Sequence, residues 1–198
     1  MPAILVLDQA TLTSDSTNFV ANGNIRINGT PTNNNDLVNK SYVDAIVNMA
    51  SNKIQIYMID NAVTTTIAAI NTPVKALGTT TLLTSPLVLN ALNFDMPISN
   101  RIRYIGTETV VGINITATLI SANNSQNFGG YLYKNGVNIG NGFKQEGSIP
   151  TSATSRVGYG AYGFINLVTN DYLEFFIENQ TAANPLTVRQ LQITVGTI

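Results

Sequence analysis

Few residues in this chain have reactive chemistry, and their spacing decides what they can do. Glu174 and Glu178 stand four apart in YLEFFIEN. On a strand they share a face, an arrangement in which two carboxylates can flank a glycosidic bond as acid and base or nucleophile. Nothing around them signals a substrate cleft, so a solvated rim is the expected reading. Arg101, Arg103 and Arg156 have the chemistry to engage acidic glycans, with ordinary surface charge as the simpler role. The sequence holds no Cys and no His. This removes disulfides, thiolate and imidazole metal ligation, and every catalytic scheme that turns on either side chain. A Gly-rich phosphate loop with its Lys, a Gly-x-Ser-x-Gly elbow and a Glu-x-x-His-type metal motif are all absent from the sequence. Asn-x-Ser/Thr sequons at Asn28, Asn39, Asn114, Asn123 and Asn179 follow from the abundance of Asn and Thr. Without a signal peptide they are expected to be unmodified. These residues point away from an enzyme, and no metal or cofactor is expected.

Such a chain must act through surfaces, so the elements that shape those surfaces matter more. Its 198 residues allow one ordinary domain, or a small head with an attachment segment. Only 11% are charged and the formal net charge is -1, which offers no basic surface for nucleic acid or an anionic membrane. Asn and Thr make up about a quarter of the sequence and long charged helix formers are scarce. That composition disfavours an extensive helical fold. The apolar run AILVL near the start is too short to span a bilayer and lacks a basic flank, so no leader or membrane insertion is expected.

Residues 1–35 are rich in Thr, Asn, Asp, Ser and Gly, and read as a thin, mostly extended segment without its own core. The one helix expected covers 36–53, opening on an Asx cap candidate and running without Gly or Pro. Val38, Tyr42, Ala45 and Met49 recur on one stripe of it. That stripe either packs on its own domain or meets its copies in a short parallel three-helix contact, because an isolated helix of this length is marginal in water.

From Ile54 the pattern turns to strands: 54–59, 74–77, 87–94, 101–105, 109–120, 130–134, 142–144, 159–168, 172–179 and 186–195. About ten short strands with Asn, Gly and Pro punctuation predict an antiparallel sandwich or jelly roll. Along 109–120 the odd positions from Val111 to Leu119 are apolar and the even ones carry Gly112, Asn114, Thr116 and Thr118, so one face is buried and one is wet. Two later strands break that rule. In 172–177 the face opposite Leu173, Phe175 and Ile177 carries Tyr172 and Phe176, and in 159–168 the face opposite Ala161, Ile165 and Leu167 carries Tyr162, Phe164 and Val168. A sandwich buries only its inner faces, so the outward rings need a cover, either a neighbouring subunit or a bulge or loop that hides them. With Tyr131 and Tyr133 one strand earlier, and Tyr42 and Met49 on the helix, these rings form the expected subunit interface. A heterologous contact of this kind closes into a ring.

Two stretches resemble known families. Ile27 to Ala45, INGTPTNNNDLVNKSYVDA, resembles the short module of bacteriophage tail fibres, with Pro31, Asp36, Asn39, Lys40, Tyr42, Val43 and Asp44 on its pattern. Residues 71–198 resemble the trimeric jelly-roll heads of the tumour necrosis factor and complement globular-head type. The matching pieces run in order: NTPVK (71–75), Phe94 with NRIRYIG (100–106), YKNGVNI (133–139), LVTNDYLEF (167–175) and NQT (179–181). A departure is Asn170, where such heads usually have Gly before Asp; Asn also tolerates positive φ. These resemblances imply a homotrimer whose inner-sheet aromatics line a threefold axis.

The combined expectation is a mainly β chain: an antiparallel jelly-roll β-sandwich head over 54–198, preceded by an extended stalk with one short helix in 1–53. As a function, the resemblances imply a virion component, either a trimeric fibre or a minor structural protein. Its N-terminal segment would bind a capsid or tail protein and its head a host surface glycan or protein, or another virion component. The alternative is a capsid cement that touches no receptor. The Asn-rich composition fits an AT-rich genome, so a phage, a large DNA virus and a virophage are all compatible sources.

Overall fold

The computed structural model describes 52–83, 93–150 and 155–198, with Asn141 as backbone alone, and, nearer the N-terminus, the strand backbones at 6–7, 11–14, 19–22 and 25–26. The chain divides into two compact units, Met1–Asn48 and Met49–Ile198. In the first, β1 (Val6–Leu7) pairs antiparallel with β4 (Ile25–Arg26), and β2 (Thr11–Ser14) with β3 (Phe19–Asn22). The helix expected over 36–53 falls almost wholly outside the described residues. Where its last two positions are described, Lys53 already opens the first strand of the second unit.

That second unit is an antiparallel β-sandwich. One sheet has five strands, in the order β14 (Val157–Leu167), β10 (Thr109–Ile120), β16 (Thr187–Thr197), β5 (Lys53–Met58), β7 (Thr81–Leu82). The other sheet has seven. Its main path runs β12 (Val137–Asn138), β11 (Gln126–Lys134), β15 (Tyr172–Asn179), β9 (Ile102–Tyr104), β8 (Phe94–Asp95), with β13 (Gln145–Ile149) beside β11 and β6 (Val74–Lys75) beside β15. From β9 onward the chain crosses between the sheets at five of its seven connections, the winding of a jelly roll. Period-two alternation drives this assembly. Ile54, Ile56 and Met58 of β5, Val111, Ile113, Ile115, Ala117 and Leu119 of β10 and Leu191, Ile193 and Val195 of β16 face inward from one sheet. They meet Phe128 and Leu132 of β11 and Leu173, Phe175 and Ile177 of β15 from the other, all nearly inaccessible to solvent.

Turns follow their residue chemistry. Asn135 and Gly136, with φ of 54° and 75°, form the tight hairpin between β11 and β12, and Asn170 sits at φ 74°, the left-handed conformation it was expected to tolerate. One expectation needs correction. The stretch expected as a strand over 142–144 lies in and just after a 3-10 turn, Asn141–Phe143, closed by the Phe143 N–H donating to Gly140 O; the strand follows at Gln145–Ile149. That strand went unforeseen because only Ile149 among its residues carries an apolar signal. The strand expected over 87–94 is seen only at its end, where Phe94 begins β8; 84–92 lie outside the described residues.

Candidate functional site

The sandwich has two outward faces, and they differ in what they leave uncovered. On the five-stranded sheet, register places Phe164, Gly112, Gly196 and Lys53 in one row, Tyr162, Asn114, Thr194 and Gln55 in the next, and Gly160, Thr116, Gln192 and Tyr57 in a third. Lys53 is the single charge among these twelve. Tyr162 is 63% exposed and Phe164 53%, their rings 5.2 Å apart in an edge-to-face contact. Phe164 and Ile198 converge over Gly112, where an added Cβ would meet Phe164 Cε1 at 3.4 Å and Ile198 Cγ2 at 3.5 Å. Val110 and Ile198 extend the apolar surface, both exposed. Further along the same face lies an open depression of about 400 Å³, bordered by Gln55, Tyr57, Thr116, Thr118, Gln190 and Gln192, again without a charged side chain.

The seven-stranded sheet turns a different face outward. Tyr172, Glu174, Phe176 and Glu178 of β15 stand beside Tyr131 and Tyr133 of β11, with Tyr131 opposite Phe176 and Tyr133 opposite Glu174. Tyr133 and Phe176 stack at 3.9 Å with 16° between planes. Arg101 lies 4.2 Å above the Tyr172 ring and its Nε donates to Glu174 Oε1 at 2.9 Å, while Lys75 Nζ reaches the same oxygen at 2.6 Å. The Tyr131 hydroxyl donates to Glu178 Oε1, which also accepts from Gln180 Nε2 at 2.9 Å. Burial, and the neighbouring Glu178 that accepts its hydrogen bond, push the Tyr131 hydroxyl well above the usual phenol range. Lys144 bonds Glu146 at 2.6 Å and holds that carboxyl below its ordinary range.

These contacts overturn the solvated-rim expectation for the two glutamates. Glu174 and Glu178 are 4% and 5% exposed. Each is buried because partners distant in sequence converge on it: Lys75 and Arg101 on Glu174, and Tyr131, helped by the near neighbour Gln180, on Glu178. No local pattern announces such partners. Arg103 likewise is spent on Asp95, with Nε donating to Oδ1 at 3.0 Å and Nη2 to Oδ2 at 2.5 Å.

The expected interface residues are therefore divided. Tyr162 and Phe164 share the exposed, uncharged face. Tyr131, Tyr133, Tyr172 and Phe176 lie on the opposite sheet, where contacts within the chain cover much of their surface. Tyr42 and Met49 lie outside the described residues. Sequence reasoning missed Val110 and Ile198; the alternation of 109–120 already put Val110 on the wet face, but a single valine there carried no signal. Among the described residues no group of three or more His, Cys, Asp or Glu could hold a metal ion, and no helix is long and apolar enough to cross a membrane.

No family model and no curated protein matches the chain. Solved structures similar to it include murine APRIL at pH 5.0 (TM-score 0.43, 11% identity, 73% of this chain and 98% of that one). The globular domain of zebrafish complement 1qA protein is another (0.40, 11%, 75% and 98%), as is Eiger TNF from S. frugiperda (0.43, 9%, 74% and 92%). The jelly-roll assignment stands on the strand order and pairing given above.

Proposed function

We propose that this chain is a non-enzymatic structural and binding protein whose jelly-roll head assembles as a homotrimer through the outward face of the five-stranded sheet. The carrying observation is the exposed cluster of Tyr162, Phe164, Val110 and Ile198 on a face whose three central strand rows hold one charge. Contiguous exposed rings with hydroxyl and amide neighbours are the composition of a protein interface, and water is a poor cover for them. The tail-fibre resemblance of Ile27 to Ala45 supports placing the trimer on a virion, with the N-terminal unit toward a capsid or tail protein and the head toward a host surface or another virion component.

Phe164→Asp tests the assembly. Phe164 is half exposed within one chain, so a carboxylate there leaves the protomer fold intact but is desolvated in the subunit contact. The expected result is a drop from trimer to monomer mass with an unchanged circular dichroism spectrum. A variant that remains trimeric removes this face as the interface. Electron microscopy of virions labelled with an antibody to the head tests the virion placement, which labelling confined to host material would refute.

A further inference from the structure

Three copies that turn the same face toward a common axis bring one side of that face in each copy against its other side in the next. On the five-stranded sheet those two sides are unlike. The β14 side carries the rings of Tyr162 and Phe164, each more than half exposed. The β5 side carries the open depression, bordered there by Gln55 and Tyr57 and toward the middle of the sheet by Gln190 and Gln192. Register ties the two sides together. Tyr162 opens the row that passes through Asn114 and Thr194 and ends at Gln55, on the border of the depression. Rotation about an axis along the strands carries a residue around that axis and not along it, so the β14 end of a row in one copy meets the β5 end of the same row in the next. The Phe164 row ends at Lys53, the one charge among the three rows. Lys53 lays its stem back across Gly196, with Cγ 2.7 Å and Cε 3.5 Å from where a Cβ on that glycine would stand. Its ammonium is thus carried toward the middle of its own face, and its methylenes are left at the β5 side.

We propose that the occupant of the depression is a second copy of this chain: about an axis along the strands, Tyr162 of each copy seats in the depression of the next, and Phe164 packs on the next copy's Lys53 stem. The inference rests on the proposed trimer and adds to it a direction and a set of partner residues. Tyrosine suits the depression on both counts of its chemistry. Its ring finds the Tyr57 ring and the methyls of Thr116 and Thr118, and its hydroxyl finds the amides of Gln55, Gln190 and Gln192, the kind of partner that a buried tyrosine hydroxyl requires. Tyr162 and the residues lining the depression carry no charge, so the contact strips no ion of its water.

The sequence has no Cys, so a disulfide can form only between introduced thiols. Tyr162→Cys and Gln55→Cys, combined in the full-length protein, test the pairing. Within one chain these positions stand three strand spacings apart, about 14 Å, beyond the reach of a disulfide, so any bridge joins two copies. Mild oxidation should convert most of the double variant to a covalent trimer on a non-reducing gel and leave each single variant uncross-linked. If loss of the Tyr162 ring prevents assembly, a diazirine-bearing side chain in place of Gln55 alone keeps that ring, and on illumination should label residues 160–164 of another copy. A covalent dimer from Tyr162→Cys alone would mean that the rings meet their own counterparts, and a covalent dimer as the end product of the double variant would mean a reciprocal pair; either overturns the proposal. So does a double variant that assembles as a trimer without cross-linking, or a label that falls elsewhere, and both of these leave the trimer standing. A native chain that is monomeric by light scattering removes the trimer and this pairing together.

Discussion

Asn100 holds together three segments distant in sequence. Its Nδ2 donates to Ala76 O at 2.9 Å and to Phe175 O at 3.0 Å, its Oδ1 accepts from the Phe175 N–H, and its own N–H donates to Thr80 Oγ1. It does this at 1% exposure and with φ of 54°, a conformation that Asn adopts more readily than Ala. Asn100→Ala should cost about 3 kcal/mol, by leaving buried backbone groups unpaired in a strained turn. A urea midpoint unchanged within error would refute that role. Asp171 makes a second clamp. Burial raises its pKa, but hydrogen bonds from Lys134, the Val168 N–H and Asn135 outweigh this and hold the carboxyl below its usual range. A depressed folded pKa means that the stabilisation is fully present above the unfolded value, about 3.9, and is lost as pH falls through the lower folded value. The fall in Tm between pH 5 and pH 3 should therefore be smaller in Asp171→Asn than in the native chain, and equal falls would show that Asp171 contributes nothing to acid sensitivity.

At the scale of elements, much of the sandwich was legible. The strands 109–120 and 172–179 are seen with the bounds expected, because strict alternation in the first and turn residues flanking both leave little freedom. Legibility ended where partners came from afar. The rings of Tyr133 and Phe176 looked like surface needing another subunit, yet they cover each other across two strands, and Glu174 finds its cations 99 and 73 residues away. Tyr162 and Phe164 look the same in sequence and, among the described residues, have no such partner on a neighbouring strand, so alternation located the outward rings but could not sort them. Contact between the sheets also sets limits that glycine content alone does not show. A Cβ on Gly130 would lie 2.5 Å from Tyr159 Cδ2, and Tyr159 is buried with its hydroxyl bonded to Phe143 O at 2.5 Å. Gly130→Ala should destabilise by about 3 kcal/mol through overpacking, whereas Gly158→Ala, with nothing within 4 Å of its Cβ, should stay within roughly 0.5 kcal/mol of native. Thermal melts of the two variants should separate clearly; equal stabilities would mean that the sheets can move apart at β11.

For the whole molecule, the sandwich covers one outward face largely with its own ion pairs and stacked rings and leaves the other apolar and nearly uncharged. A face of the second kind on a chain with little charge is a liability unless another surface covers it. In the proposed account its copies provide that cover. The most direct test is the mass of the native chain by light scattering at micromolar concentration. The account predicts three times the 21.2 kDa of one chain; a mass of one chain would contradict it.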